Sequence, residues 1–137
     1  MTEDLRDRLH WQPNVNDVLG VVVVEVTKER VILSVEVGPK VHQPFGILHG
    51  GVSALLAEGA ASVGGMVNVE AGKNVVGTEL NCSHLRAMSS GTLTATATPI
   101  RLGRTVQVWG IELRDQDERL ICVARCTLQV VTAPSPA

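Results

Sequence analysis

Apolar and polar positions along the chain sort into a short polar start, two β-type runs, one long stretch of small residues and four further runs. Residues 3–9 read as a short helix or arm capped by Thr2, and Asn14 to Asp17 read as polar linker. Val21 to Val26 is a β-rich run and Thr27-Lys28-Glu29 a turn. Val31, Leu33, Val35 and Val37 then alternate at period two with Ile32, Ser34 and Glu36. These two runs predict a hairpin, which Gly38-Pro39 ends. A loop through Pro44-Phe45-Gly46 leads to a helix from about Gly50 to Val69, with Gly72 as a stop signal. The second half predicts strands over Asn74 to Leu85, Thr92 to Ile100, Thr105 to Leu113 and Leu120 to Val131. Turns are read at Ser89-Ser90-Gly91, Leu102-Gly103-Arg104 and Asp115-Gln116-Asp117-Glu118.

The element order is two strands, one long helix and four strands. It predicts an α+β domain: an antiparallel sheet of about six strands with a single helix on one face. One helix cannot cover six flat strands, so the sheet wraps around it or a partner chain covers the rest. The expected organisation is an N-terminal arm over 1–19, one domain over 20–131 and a loose Pro/Ser/Ala tail over 132–137.

Composition narrows the function. Among 137 residues there are three aromatics, Trp11, Phe45 and Trp109, against 22 valines, which favours strands. Lys+Arg is 12 and Asp+Glu 14, a net charge of −2 with no basic block, so nucleic acid is not an expected partner. Cys82, Cys122 and Cys126 are an odd count without a C-x-x-C pair, which points to a reducing, cytoplasmic setting. The last two fall in an alternating strand and read as packing residues. The acidic start Met1-Thr2-Glu3-Asp4 has no apolar signal region. Ile47 to Val69 is long enough to imitate a membrane span but carries His49, Glu58 and five glycines. A mid-bilayer carboxylate costs about 2.5–3.5 kcal/mol even on the gentler scale, so no membrane partner is expected.

The candidate chemistry concentrates on the helix. On a helical wheel Val52, Leu55, Leu56, Ala60, Val63, Met66 and Val67 fall on one side, read as the core face. The other side holds Ala54, Glu58, Ala61, Ser62 and Gly65 instead of the usual exposed charges, so a second chain is expected against it. Glu58 is the only Asp, Glu, Lys or Arg between Lys40 and Glu70. Covering disfavours its charged form unless a partner offsets this, which makes it a candidate base or nucleophile. Ser62, four residues on, is placed to donate to it. His49-Gly50-Gly51 precedes the helix, and open N–H groups at a helix start suit an oxyanion or a polarised carbonyl.

The run His42-Gln43-Pro44-Phe45-Gly46-Ile47-Leu48-His49-Gly50-Gly51-Val52-Ser53-Ala54-Leu55-Leu56-Ala57-Glu58 resembles the hotdog-fold acyl-CoA thioesterases. Within them it is similar to the helix-glutamate subgroup that includes the Arthrobacter-type 4-hydroxybenzoyl-CoA thioesterase. It is also similar to enzymes of menaquinone and enterobactin metabolism, which act on 1,4-dihydroxy-2-naphthoyl-CoA or proofread aroyl groups on a carrier protein. The likeness extends through Val75 to Asn81, Ser83 to Arg86 and Gln107-Val108-Trp109, nearly the whole chain.

The resemblance implies a curved antiparallel sheet around one long helix, in dimers that share their sites and assemble into homotetramers. It implies hydrolysis of an acyl-CoA thioester, with an aromatic acyl group, to free acid and CoA. Glu58 matches the catalytic carboxylate, as nucleophile or as general base, and Gly50 the N–H that polarises the thioester carbonyl. His49 and Gln43 match side chains around that carbonyl, and Ser62 and His84 polar groups of the acyl pocket. Phe45, next to the site in sequence, is expected to stack on the substrate. For CoA phosphates the candidates are Arg86, Arg101, Gly103 and Arg104, near strand ends and a tight turn. No cofactor or metal is implied, and the histidines and cysteines show no ligand spacing. A hotdog acyl-thioester dehydratase or hydratase and a non-catalytic acyl-CoA binder are the alternatives. Against the first, the loop reads Gln43-Pro44-Phe45-Gly46 where dehydratases carry H-F-P-x-x-P; Glu58 argues against the second.

Overall fold

A period-two apolar pattern needs a surface to bury its inner face, and here that surface is one helix. The computed structural model describes residues 3–8 and 12–134. Helices α1 (Glu3–Arg8) and α2 (Val15–Leu19) lead into β1 (Val22–Val26) and β2 (Val31–Val37). A 3-10 turn over Pro39–Val41 and a loop reach α3 (Gly50–Val67), followed by β3 (Lys73–His84), β4 (Gly91–Leu102), β5 (Val106–Arg114) and β6 (Leu120–Thr132). The expected α+β class and strand count hold. All pairings are antiparallel, in the order β1-β2-β4-β5-β6-β3. The chain leaves β2, lays α3 across the sheet, joins the far edge as β3, and returns to pair β4 with β2.

Inward positions form the core: Val31, Leu33, Val35 and Val37 on β2, Leu93, Ala95 and Ala97 on β4, Trp109, Ile111 and Leu113 on β5, and Cys122, Cys126 and Leu128 on β6. Register puts Leu33 beside Ala95, Ala97 beside Ile111 and Trp109 beside Cys126, so these side chains make a continuous floor. Helix α3 packs on this floor against β2 to β6.

The helix presents a different face to the core from the one its larger residues mark out. Ser53, Leu56, Ala57, Ala60, Ala61, Gly64, Gly65 and Met66 are buried, while Val52, Leu55, Val63 and Val67 are only partly so. Ala61 and Gly65 therefore belong to the core side. The cause is the sheet's own bulk. A Cβ at Gly64 would lie 2.5 Å from the Trp109 ring, and one at Gly65 would lie 2.5 Å from Leu128. The Trp109 indole N–H donates to Gln107 Oε1 at 2.9 Å, and Gln107 Nε2 reaches the Gly65 carbonyl at 3.4 Å. The buried indole and amide are thus satisfied within the helix–sheet seam. Helix α3 is long and apolar enough to cross a membrane by length and composition, but its buried face lies on this sheet.

Two boundaries differ from expectation. Asn14 to Asp17 is not linker: Asn14 and Asp17 form a reciprocal capping box that starts α2, and Gly20, in the left-handed region at φ 75°, ends it. At the other end Thr132 still pairs with Lys73, and Ala133 N–H donates to Gly72 O at 2.9 Å, so the tail starts later. His10, Trp11 and residues 135–137 lie outside the described residues.

Candidate active site

The loop from Gly38 to His49 is held open by its own backbone. Gln43 N–H donates to Ile47 O at 2.8 Å and Gly46 N–H to Gln43 O at 3.0 Å, closing a turn whose tip carries Phe45. The Gln43 side-chain oxygen accepts the Phe45 N–H, and the Gln43 NH2 has no acceptor among the described residues. His42 Nε2 bonds Ser89 O at 2.8 Å, Leu48 N–H donates to Met88 O at 2.7 Å, and His49 N–H donates to Val41 O at 2.9 Å. The loop is thereby pinned to both β2's exit and β4's entrance.

His49 is the N-cap of α3. Its Nδ1 accepts the Gly51 N–H at 2.8 Å, and a Cβ at Gly51 would meet that ring at 2.9 Å. The Val52 N–H is taken by His49 O. Gly50 N–H, the first of the helix, donates to no acceptor among the described residues. The cap therefore leaves the Gly50 amide open at the positive end of the helix dipole. The His84 ring, at the end of β3, lies over it: a Cβ at Gly50 would stand 2.9 Å from His84 Nε2.

Gln43, Gly50, Ser53, His84 and Arg86 line one cleft of about 360 Å³, closed on its apolar side by Ile47, Leu48, Leu85 and Ile121. This gathers four of the expected site residues. Ser53 is an addition, because a serine inside an apolar helix stretch carries no distinctive sequence signal. Phe45 does not line this cleft; it stands 89% exposed at the turn tip.

Glu58 and Ser62 line a second cleft, of about 470 Å³, with Val15, Asn16, Gly51, Ala54, Leu55, Gly59 and Leu80. They share the space, but no hydrogen bond joins them. The Glu58 carboxylate packs on the β3 backbone instead: a Cβ at Gly77 would lie 2.7 Å from Glu58 Oε1. The β3–β6 register slips between Gly77 and Glu79, a bulge that sets this stretch beside the helix. Gly77, Val15 and Asn16 escaped the sequence reading of the site. Gly77 is a glycine inside a strand, which marks close backbone approach, and Asn14 with Asp17 spells a capping box.

Both clefts are of ordinary size for small-molecule sites, roughly 300–1,000 Å³. They open on different sides of the helix start. Gly50 and Glu58 are eight residues apart, about 12 Å along an α-helix. One thioester group spans far less than that.

The thiols are spectators. Cys122 and Cys126 are fully buried. Burial first, and then the neighbouring Cys82, push the Cys122 thiol up to about 12. Burial first, and then the Glu58 and Glu79 charges, push Cys126 up to about 11. Neither is a nucleophile near neutral pH. No group of three or more His, Cys, Asp or Glu among the described residues could hold a metal ion. Of the arginines, Arg86 lines the Gly50 cleft. Gly103 and Arg104 line a third cleft with Asn68, Glu70 and Lys73, just past the far end of α3, and Arg101 is exposed on β4. Eighteen helical residues, roughly 27 Å, separate the two ends. Within one chain Arg86 and Arg104 cannot grip one phosphate.

Comparison with known proteins agrees with this architecture. The family model described as the thioesterase superfamily matches residues 45–122. A 1,4-dihydroxy-2-naphthoyl-CoA hydrolase of Listeria monocytogenes is 46% identical over 83% of this chain and 93% of its own. A proofreading thioesterase of Cronobacter sakazakii is 38% identical over 82% of each. The crystal structure of a thioesterase from Haemophilus influenzae superposes with a TM-score of 0.88 at 39% identity, covering 96% of this chain and 92% of that one.

Proposed function

The chain belongs to the thioesterase superfamily and is a thioester hydrolase with the hotdog fold, and from this we propose that it cleaves an aromatic acyl-CoA to free acid and CoA, at a site built by two copies of itself. The observation that carries the reading is the division of α3. Its open Gly50 N–H and its Glu58 carboxylate face different clefts, about 12 Å apart along the helix. One reacting carbonyl meets both only if one copy supplies Gly50 and the other supplies Glu58.

The edge of the sheet supports the pairing. Strand β3 is twelve residues long, bonds β6 on one side, and has no strand on the other among the described residues. A long bare edge pairs readily with its own copy about a twofold axis. Gly77, against which Glu58 rests, lies on that edge strand. Exposed Ile100 and Leu102 at the end of β4 favour a further pairing of dimers into the homotetramer.

In this site Gly50 N–H of one copy receives the thioester carbonyl oxygen and stabilises the charge that develops on it, worth roughly 3 kcal/mol for one such donor. The Gln43 NH2 and His84 border the same cleft and orient the acyl carbonyl. His49 acts through Gly51, holding the helix start so that the Gly50 amide stays open. Glu58 of the other copy attacks the carbonyl carbon, or takes a proton from the water that does. Ser62 beside it borders the acyl group. Arg86 takes a CoA phosphate on the side of Gly50; Arg101, Gly103 and Arg104 reach the same CoA only from the second copy. The name of the Listeria relative supports an aroyl group, and a cytoplasmic setting suits three free thiols.

The test is release of free thiol from a panel of aroyl- and fatty acyl-CoA esters by wild type and Glu58→Gln. Wild type should prefer aroyl esters. Glu58→Gln should lose at least about a thousandfold in kcat while still binding substrate. Full hydrolysis by Glu58→Gln removes the catalytic assignment, and a preference for fatty acyl-CoA removes the aromatic one.

A further inference from the structure

Ser53 is the one described residue with a buried side-chain polar atom that lacks a hydrogen-bond partner. It is 1% exposed and lines the cleft that holds Gly50, Gln43 and His84. A hydroxyl in a helix usually bonds a carbonyl one turn back, and this one does not. Leaving a buried hydroxyl unsatisfied costs free energy, a cost that alanine at this position would not carry. The orphan group thus has a use that the folded chain alone does not satisfy.

Its position says where that use lies. Ser53 follows Gly50 by three residues, so the two share a helix face one turn apart. Side chains on a helix tilt toward its N-terminus, which carries the Ser53 hydroxyl toward the open Gly50 N–H. Two unpaired donors therefore border one cleft at the start of one helix. We propose that the Ser53 hydroxyl is a second hydrogen-bond donor to the thioester carbonyl oxygen, completing with Gly50 N–H a two-donor oxyanion site.

The proposal rests on the thioesterase reading above and deepens it. As the oxygen nucleophile bonds to the carbonyl carbon, the π electron pair moves onto the carbonyl oxygen, where Gly50 N–H and Ser53 O–H receive it. On collapse that pair re-forms the C=O bond and the C–S bond breaks with its electrons on sulfur; the CoA thiolate takes up the proton that Glu58 took from the attacking water or, where Glu58 itself attacks, the proton released when water then opens the acyl–Glu58 anhydride to free acid and carboxylate. Ser53 keeps its own proton throughout. A donor already in place needs no reorganisation as the charge appears.

The experiment compares wild type, Glu58→Gln and Ser53→Ala on one aroyl-CoA ester, with a thermal melt of each protein. Binding of two unreactive CoA ligands is measured alongside: a ketone in which a methylene separates sulfur from the carbonyl, and the thioether without the carbonyl. If wild type releases no free thiol from the ester, the thioesterase reading fails and this proposal falls with it. With that assignment standing, Ser53→Ala should lose roughly a hundredfold in kcat, with KM within about threefold. Its Tm should be unchanged or higher, because it deletes an unpaired hydroxyl and adds a better helix former. It should weaken the ketone and leave the thioether untouched. A kcat within about twofold of wild type overturns the proposal. So does a lower Tm with equal weakening of both ligands, the mark of a packing role.

Discussion

Glu58 stands where it does because Gly77 has no side chain. The 2.7 Å between a Cβ there and the Glu58 carboxylate leaves no room for even a methyl group. Gly77→Ala should therefore push the carboxylate off its seat and lower kcat about tenfold or more. The melting temperature should move little, since the added methyl meets only the far end of a flexible side chain. Steady-state kinetics beside a thermal melt checks this; an unchanged kcat would mean the seat is unimportant. At this scale Glu58 was legible in the sequence as an isolated carboxylate amid some thirty uncharged positions, and Gly50 as an open glycine at a helix start. Ser53 and Gly77 were not. Their significance lies in what stands opposite them, an open amide in one case and a carboxylate in the other, and no local pattern reports an opposing neighbour.

Among the elements, α2 shows how a small motif shapes the site. It is five residues long with no fully buried residue; its capping box and Gly20 bound it, Leu19 packs half-buried on the core, and Lys40 Nζ donates to Val18 O at 3.3 Å. It brings Val15 and Asn16 to the Glu58 cleft. Asn14→Ala removes the cap at a cost of about 1 kcal/mol. Amide exchange over Asp17 to Gly20 should rise roughly fivefold, and KM should rise with it as that wall loosens; unchanged exchange would contradict the role of the cap. The β5–β6 hairpin tip is a second such device. Asp115 is buried, accepts the Asp117 and Arg119 N–H groups at 2.9 Å, and pairs with the Arg119 guanidinium at 2.7 Å. Burial pushes its carboxyl up, but those donors and the arginine charge outweigh it, so its value in the folded chain lies below the ordinary 3.8. A depressed folded value stabilises the fold above the unfolded value, near 3.9, and that stability is lost as pH falls through the folded value. Wild-type Tm should decline below about pH 4 through this group. Asp115→Asn should melt lower at neutral pH with a flatter acid limb, as Tm against pH will read. The strands and α3 were legible because period two and small-residue spacing persist over many positions. The inward face of α3 was not. Large residues marked one side, but the bulk of Trp109 and Leu128 selected the glycine and alanine side.

In the whole molecule, one helix and one sheet make a complete core and, on the proposed reading, only part of each active site. The core closes because β2, β4, β5 and β6 bury their inner faces under α3. On that reading one chain leaves the site open because helix geometry holds Gly50 and Glu58 about 12 Å apart, facing different clefts. The count of one helix against six strands left two possibilities, a sheet wrapped around the helix or a partner chain over the rest. Which residues that chain completes depends on packing between copies, which no single sequence pattern encodes. The most direct test of the two-copy site is complementation. Gln43→Ala and Glu58→Gln, each inactive alone, are unfolded together, refolded as a mixture, and assayed for thiol release. Random pairing makes half of the dimers mixed, and each mixed dimer has one intact site of two, so the mixture should recover about a quarter of wild-type activity. A mixture as inactive as its two components would contradict the account, because each chain would then have to supply both halves of its own site.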